Sequence, residues 1–259
     1  MKLELNHIYN GDAYKLIKLI EDKSVDLIIT DPPYDIGTTH GSGIMKDRGG
    51  TYMQQIEENS FNYGIDNAIL DEFCRIMKHI NIYIWCNRAQ ILDYLKYFVE
   101  ERGCSYEILI WKKENPIPLC GLHYLIDKEY CLLFKETGAY IHVPYERGRT
   151  VFSTYTNVKD KEDFKHPTIK PLFITEQLIL NSSEAGGVIF DPFIGSGTTA
   201  VAAKALNRQY LGFEINPQFY KIAVDRINGI NQKGELNLFE TDFESLQLEF
   251  EKENKDGDN

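Results

Sequence analysis

Apolar residues occur along the chain in two alternating arrangements. Short continuous runs rich in β-branched and aromatic residues are typical of buried strands, and they cover residues 26–30, 81–86, 106–111, 130–135, 188–190 and 209–215. Between these runs, apolar residues recur three and four positions apart, which predicts amphipathic helices at residues 13–21, 67–78, 90–101, 172–181, 199–207 and 218–227. Strands that alternate with helices predict an α/β fold, in which a mostly parallel, Rossmann-like sheet carries helices on both faces.

Two segments have neither period and are predicted to be long loops. Residues 36–60 contain five glycines, and residues 137–166 place arginines and lysines between aromatic side chains. Long loops in compact domains are usually functional, and basic residues among aromatic ones favour contact with nucleic acid. A solvated surface loop is the alternative interpretation of the second segment.

Composition and charge restrict the class of protein. Hydrophobic residues make up 43% of the 259-residue chain, enough for a core in one domain at residues 1–239. Residues 240–259 hold eight acidic residues and two lysines, or −6 of the total charge of −11, and are expected to form a disordered tail. No apolar run reaches the ~20 residues of a membrane span. The first twelve residues show no apolar h-region or cleavage site, so we do not expect secretion. Five cysteines without a closely spaced pair argue against a zinc ribbon and a disulfide framework. We therefore expect a cytoplasmic protein without a membrane segment or metal.

A glycine-rich turn follows the strand predicted at residues 188–190. Asp191 lies at the end of this strand, Gly195 and Gly197 precede an alanine-rich helix, and Glu214 lies near the end of the next strand. Glycines let the backbone approach a ligand, and an acid at this spacing can accept hydrogen bonds from a ribose, so the segment predicts a nucleotide-type site. A dinucleotide and S-adenosylmethionine both remain open. Asp191 favours the second, because a carboxylate repels a pyrophosphate but suits an ammonium group.

The tetrad Asp31-Pro32-Pro33-Tyr34 directly follows the strand predicted at residues 26–30. Proline has no N–H and holds the chain extended, so the carbonyls are available as acceptors beside the Asp31 carboxylate. Together with the flat ring of Tyr34, these acceptors match a planar ring with an amino group, whereas a rigid turn with a packed tyrosine is the alternative. The tetrad and the glycine-rich turn each follow a buried parallel strand, so we expect adjacent pockets at one sheet edge. Two such pockets describe an amino-methyltransferase.

These motifs resemble those of the DNA amino-methyltransferases of bacteria and phages, in the permuted (beta) class whose tetrad precedes the cofactor motif. The resemblance extends from about residue 8 to residue 227. It implies the S-adenosylmethionine-dependent methyltransferase fold and catalytic roles for Asp31, Pro32, Pro33 and Tyr34. It also implies donor-binding residues in the glycine-rich turn, in the segment 166–171 and in a short N-terminal element: Asp12, His166, Thr168, Lys170, Asp191, Phe193, Gly195, Gly197, Thr198 and Glu214.

The partner implied by the resemblance is DNA, expected to be double-stranded, and a homodimer remains open. Candidate DNA contacts lie in the two predicted loops and in the segment that follows the strand at 106–111: Lys46, Arg48, Lys112, Asn115, Arg147, Arg149 and Lys165. Residues 117–165 form a short segment like the target-recognition inserts of the family. Because the segment is short, the recognised DNA sequence is expected to be short as well.

The expected target atom is N6 of adenine. The resemblance associates aspartate at the first tetrad position with adenine, and often serine with cytosine N4; methylation of cytosine N4, RNA or a protein amide stays open. A cytosine-C5 enzyme is rejected because it needs a thiolate, commonly in a Pro-Cys turn that the chain lacks. Two other functions fit the sequence less well. A nucleotide-dependent oxidoreductase would give the tetrad no role, and a non-catalytic DNA-binding regulator would need no pocket for a methyl donor. We expect direct methyl transfer to a flipped base, without a covalent intermediate.

Overall fold

A computed structural model describes residues 3–33, 65–116, 124–155 and 169–229. The described strands form one eight-stranded sheet: β1 (His7–Asn10), β2 (Leu27–Thr30), β3 (Asn81–Cys86), β4 (Ser105–Lys113), β5 (Lys128–Lys135), β6 (Val151–Thr154), β7 (Val188–Asp191) and β8 (Gln209–Glu214). The described α-helices are α1 (Ala13–Leu16), α2 (Asn67–Ile76), α3 (Ile91–Leu95), α4 (Leu172–Ser182), α5 (Thr198–Ala205) and α6 (Pro217–Ile227). None of the described helices is long and apolar enough to cross a membrane.

The strand order in the sheet is β1-β8-β7-β2-β3-β5-β4-β6. The first five strands in this order are parallel to one another, and β6 is parallel to β4. β5 alone among the described strands runs antiparallel to its neighbours β3 and β4. The prediction of a mostly parallel α/β sheet is therefore confirmed.

Two apolar cores, one on each face of the sheet, show that both faces are covered. β3 contributes to both, because successive strand residues point to opposite sides: Ile82 and Ile84 pack in one core and Tyr83 and Trp85 in the other. Helix α2 covers the first face, and helices α4, α5 and α6 contribute to the second. This two-sided burial explains why β3 reads as a continuous apolar run rather than an alternating one.

Four local predictions differ from the structure. In the helix predicted at residues 13–21, the α-helical part ends at Leu16 and a 3₁₀ turn follows (Ile17–Leu19). In the helix predicted at residues 90–101, the segment Lys96–Glu100 is π-helical. β1 was not predicted, because only one of its four residues is buried. The prediction of a loop throughout 137–166 is wrong at β6, an edge strand with the same sparse burial. The loop at 36–60 and the tail at 240–259 lie outside the described residues.

At the edge of the sheet formed by the carboxyl ends of the parallel strands, β4 and β5 extend beyond the end of β3. Cys86, the last residue of β3, pairs with Tyr130, which pairs with Ile110 of β4. β4 continues past this level to Lys113, paired along the way with Glu129 and Lys128 of β5, and β6 accompanies it to Thr154. The ends of β4 and β6 and the start of β5 thus form a wall beside the carboxyl ends of the parallel strands. We call these residues (110–113, 128–130 and 151–154) the strand wall.

Candidate active site

Four acidic residues lie in a row at the carboxyl ends of neighbouring parallel strands. Asp12 follows β1, Glu214 ends β8, Asp191 ends β7 and Asp31 follows β2, in the same order as the strands lie in the sheet. The tetrad and the glycine-rich turn therefore share one sheet edge, as the sequence predicted. A row of carboxylates favours a ligand that carries positive charge.

The glycine-rich turn is held close to the sheet by its neighbours. Gly195 and Gly197 adopt φ of 53° and 86°, which glycine reaches without strain. The Ile194 N–H donates to the Phe213 carbonyl (3.0 Å), and the Ile194 side chain occupies the space that a side chain on Gly212 would need. The turn thus packs directly on β8 and leads into the amino end of α5.

Helix α6 fixes the turn from the other side. Arg226, which is buried, donates from Nη1 to the Ser196 carbonyl (2.8 Å), to Ser196 Oγ (3.0 Å) and to Thr198 Oγ1 (3.1 Å). A Cβ on Gly197 would lie 3.0 Å from Ala223 Cβ, so only glycine fits here without a shift. The sequence analysis missed Arg226, since an arginine near the end of an amphipathic helix reads as a surface residue.

Glu214 joins the glycine-rich turn to the end of β8. Its Oε2 accepts a hydrogen bond from the Gly195 N–H (2.9 Å), and its Oε1 accepts one from the Asn216 N–H (2.8 Å). Burial raises the pKa of Glu214, and its backbone hydrogen bonds partly oppose this shift. Glu214 therefore has a structural task in the turn in addition to the ribose contact that the sequence predicted.

Asp191 is a buried carboxyl group at the centre of the site, with 5% of its surface exposed. Its Oδ1 accepts from the Phe193 N–H (3.1 Å), and its Oδ2 accepts from the Thr199 hydroxyl (2.7 Å). Burial raises its pKa to about 7 despite these bonds, and the nearby Asp31 adds to the shift. Among the residues that the structure describes, no lysine or arginine pairs with Asp191. Such a carboxyl group would be stabilised in its charged form by a cationic ligand.

Asp12 lies next to Glu214 but is engaged locally. It is the N-cap of α1, where its Oδ1 accepts from the Tyr14 N–H (3.0 Å), and its Oδ2 lies 3.4 Å from Lys15 Nζ. The preceding residue Gly11 donates its N–H to the Glu214 carbonyl (2.9 Å). The N-terminal element is therefore adjacent to the end of β8, and the role of Asp12 in donor binding stays a prediction.

Asp31 is paired with a buried lysine. Lys170 Nζ lies 2.5 Å from Asp31 Oδ2, and 8% of the lysine side chain is exposed. The next tetrad residue, Pro32, is buried, and Pro33 is partly buried. Tyr34 lies outside the described residues, so the predicted stacking ring stays a prediction.

Lys170, which the resemblance assigns to the donor site, contacts the tetrad in this structure, and its role in donor binding stays a prediction. Its ammonium group contacts Asp31 of the tetrad and Glu129 of β5 (3.1 Å), and it lies 5.2 Å from the centroid of the Trp85 ring. A buried ammonium needs anionic partners, and these two carboxylates, rather than the glycine-rich turn, supply them. His166 and Thr168 of the same segment lie outside the described residues.

The candidate DNA contacts are separated by the fold. Lys112 lies on the strand wall, half-exposed, and Asn115 follows two residues after the end of β4. Arg147 lies towards the other end of the strands, away from the tetrad, and its DNA contact stays a prediction. Its Nε donates to Asn181 Oδ1 (3.1 Å) in the last turn of α4, close to the start of β3.

Arg149 is exposed and lies just before β6, and its DNA contact stays a prediction. Lys46, Arg48 and Lys165 lie outside the described residues. The strand wall also brings in a lysine that the sequence analysis missed: Lys128 of β5 pairs directly with Lys112 of β4. Lys112 Nζ also contacts Glu114 Oε1 (3.1 Å), so one carboxylate already lies beside this pair of lysines. The sequence alone does not show that Lys112 and Lys128 are neighbours, because this follows from the pairing of β4 with β5.

No group of three or more His, Cys, Asp or Glu residues in the described part of the chain has the arrangement of a metal site. The groups available to a ligand at this edge are carboxylates, backbone N–H groups and glycines that let the backbone come close. These groups suit an organic cation with hydroxyl groups, and S-adenosylmethionine has both a sulfonium and ammonium charge and a ribose.

We expect substitution Asp191→Asn to change the pH dependence of stability. A carboxyl group whose pKa is raised on folding stabilises the protein at low pH, and this contribution is lost as pH rises from about 4 to about 7. The free energy of unfolding of the wild type, relative to Asp191→Asn, should therefore fall by about 2–4 kcal/mol over that range. Urea unfolding of both proteins at several pH values measures the difference; a difference that does not vary with pH would contradict it.

Comparisons with known proteins identify the family of this chain. A family model described as DNA methylase matches residues 25–225, a range that includes both strand ends and the segment between them. The type II methyltransferase M.HinfI of Haemophilus influenzae is 31% identical, over 95% of this chain and 73% of that protein. The DNA adenine methyltransferase YhdJ of Escherichia coli (strain K12) is 27% identical, over 87% of this chain and 83% of that protein.

A solved structure gives the same result. The crystal structure of the M1.HpyAVI–SAM complex has a TM-score of 0.57 and 26% identity, and the match covers 85% of this chain and 98% of that one. The family match covers most of the chain and includes strands β2 to β8. The chain therefore belongs to the DNA methylase family.

Proposed function

We propose that this protein transfers the methyl group of S-adenosylmethionine directly to N6 of adenine in double-stranded DNA. The observation that carries the proposal is the adjacency of Asp191 and Asp31. They lie at the ends of β7 and β2, which pair in parallel register through Leu27 with Ile189 and Ile28 with Phe190. A donor held at one strand end and an amine held at the next are within reach of each other.

S-adenosylmethionine supplies a methyl group on a sulfonium, which needs no covalent enzyme intermediate to react. Asp191 provides a buried carboxylate for the positive charge of the donor, and binding of that charge would lower its raised pKa. Glu214 would accept hydrogen bonds from the ribose hydroxyls while it holds the turn through Gly195. Gly195 and Gly197 leave room for the donor against the backbone.

The amine side of the site is built around Asp31. The exocyclic amine of adenine is a poor nucleophile, because its lone pair is conjugated with the ring. The Asp31 carboxylate and the carbonyl of Pro32 would accept the two amine hydrogens and localise the lone pair towards the methyl group. Positioning and electrostatics then account for most of the rate enhancement.

Adenine is favoured over cytosine N4 by Asp31 at the first tetrad position. The name of YhdJ supports the same choice. Duplex DNA requires that the target base leave the stack, and the strand wall offers Lys112 and Lys128 to the phosphates beside it. Cytoplasm is the compartment we infer, because DNA is the substrate and Cys74, Cys86, Cys104 and Cys131 are free thiols.

The proposal is tested by identifying the labelled nucleoside. Wild-type protein incubated with tritiated S-adenosylmethionine and unmethylated duplex DNA should yield labelled N6-methyl-2′-deoxyadenosine after digestion to nucleosides. Asp31→Ala should lower kcat by at least ~10²-fold, the scale for loss of one preorganised electrostatic group, while donor affinity stays within about twofold. Label in N4-methyl-2′-deoxycytidine would overturn the choice of base, and a stable Asp31→Ala protein with wild-type turnover would overturn the mechanism.

Glu214→Gln should weaken donor binding far more than it slows transfer. The substitution keeps the size of the side chain but removes the charge that strengthens its hydrogen bonds to hydroxyls, so Kd should rise about 10- to 100-fold. At saturating donor, kcat should change less than about threefold. Glu184→Gln, before β7 at the opposite edge of the sheet, is the matched control. Calorimetry that finds the same Kd for all three proteins would remove Glu214 from the donor site.

The DNA contact predicts a change in salt dependence. Replacing both Lys112 and Lys128 by glutamine should flatten the slope of log affinity against log salt by about two units, since each phosphate contact contributes about one. Lys135→Gln should leave the slope unchanged, because Lys135 lies on the same strand as Lys128 but at its far end, opposite Asn81. Fluorescence anisotropy at several salt concentrations measures all three slopes. If the double variant and the wild type have equal slopes, the DNA does not contact Lys112 and Lys128.

A further inference from the structure

Four charged side chains form a continuous series of ion pairs that leads away from Asp31. Lys170 Nζ contacts Asp31 Oδ2 (2.5 Å) and Glu129 Oε2 (3.1 Å), and Glu129 Oε1 contacts Lys113 Nζ (2.6 Å). We call these four residues the ion chain. Its members come from the end of β2, the residue before Pro171 and α4, the start of β5 and the end of β4. The strand wall therefore connects directly to the tetrad.

The ion chain alternates in charge and is shielded from water. Exposed fractions of its side chains are 24% for Asp31, 8% for Lys170, 21% for Glu129 and 17% for Lys113. Burial alone would raise the pKa of Glu129, but Lys170 and Lys113 outweigh it and lower the pKa to about 2. Glu129 is therefore ionised at neutral pH and holds two lysines at once.

Stability is a poor explanation for such an arrangement. Removing charges from water costs nearly as much as the ion pairs return, and apolar residues of similar size often stabilise a fold as well or better. What an ion chain does supply is a fixed position for each charge. Lys170 also lies over the Trp85 ring, which restricts the ammonium further.

We propose that Glu129 is a positioning residue for methyl transfer, acting on Asp31 through Lys170. This inference rests on the proposed function. Glu129 holds the ammonium of Lys170 at Asp31 Oδ2, so that the carboxylate cannot turn without breaking an ion pair. The orientation of Asp31 towards the target amine is thereby set by a residue of the antiparallel strand β5.

Sharing of Lys170 between two carboxylates has a second effect. An ammonium paired with Asp31 alone would withdraw more electron density from it and make it a weaker acceptor for the amine hydrogen. Glu129 takes part of that interaction, and Lys113 in turn balances Glu129. The amine acceptor therefore keeps its strength while its position stays fixed.

The first test is a comparison of kcat with donor affinity in Glu129→Gln. The substitution keeps the shape of the side chain but removes its charge. We expect kcat to fall by about 10- to 100-fold, the scale known for loss of a partner that orients a metal ligand. Donor Kd should stay within about twofold, since Glu129 does not touch the glycine-rich turn. Glu129→Asp restores the charge and should recover part of the rate. Glu136→Gln, just after the other end of β5, is the matched control and should leave kcat unchanged.

The second test is a double-mutant cycle with Lys170→Met. Because Glu129 acts through Lys170, adding Glu129→Gln to Lys170→Met should lower kcat by less than about twofold further. Multiplicative losses would overturn the proposal, as would an unchanged kcat in Glu129→Gln, or equal losses of kcat and donor affinity. Thermal unfolding of each variant identifies temperatures at which all are folded, and the rates are compared there. If the wild type transfers no methyl group to DNA, the proposed function fails; if it does and Glu129→Gln retains full kcat, only this inference fails.

Discussion

Placement of partly or fully buried carboxylates at the carboxyl ends of parallel strands is the constraint on which the site depends. Parallel pairing of β1, β8, β7 and β2 aligns the ends of these strands, so acids that follow them are brought to one edge however far apart they lie in sequence. A buried carboxylate must be hydrogen-bonded, paired with a cation or protonated. Each acid at this edge meets that requirement differently, and the differences divide the site into two halves.

Asp191 represents the donor half. Its oxygens accept hydrogen bonds from the loop that they help to shape, and burial without a described cation raises its pKa to about 7. Asp31 represents the amine half and already has its cation in Lys170. The carboxyl group of Asp191 is thus suited to a positively charged ligand, whereas the charge of Asp31 is already balanced by Lys170 when a neutral amine binds. Adjacent strands can hold two acids with opposite tasks because their partners differ.

The supports of the two halves come from different parts of the fold. Helix α6 holds the glycine-rich turn through Arg226 and Ala223, and the strand wall holds the tetrad through Glu129 and Lys113. The antiparallel strand β5 is essential to the second support. Its reversed direction brings its first residues, rather than its last, to the edge where the parallel strands end, so Glu129 faces Lys170.

The fold class and the two motifs were determined by sequence alone. Runs such as NIYIWC at residues 81–86 are apolar throughout because both faces are buried, and Gly197 and the Asp31 tetrad have backbone requirements that only a few residue types meet. β1 and β6 escaped prediction because edge strands bury too few residues to give a clear pattern. The partners of the site were decided only by tertiary structure: the positions of Lys170, Glu129, Arg226 and Arg147 follow from contacts across elements far apart in the chain. A charged residue in a sequence does not reveal which opposite charge it will meet, because that depends on which strand ends the sheet places together.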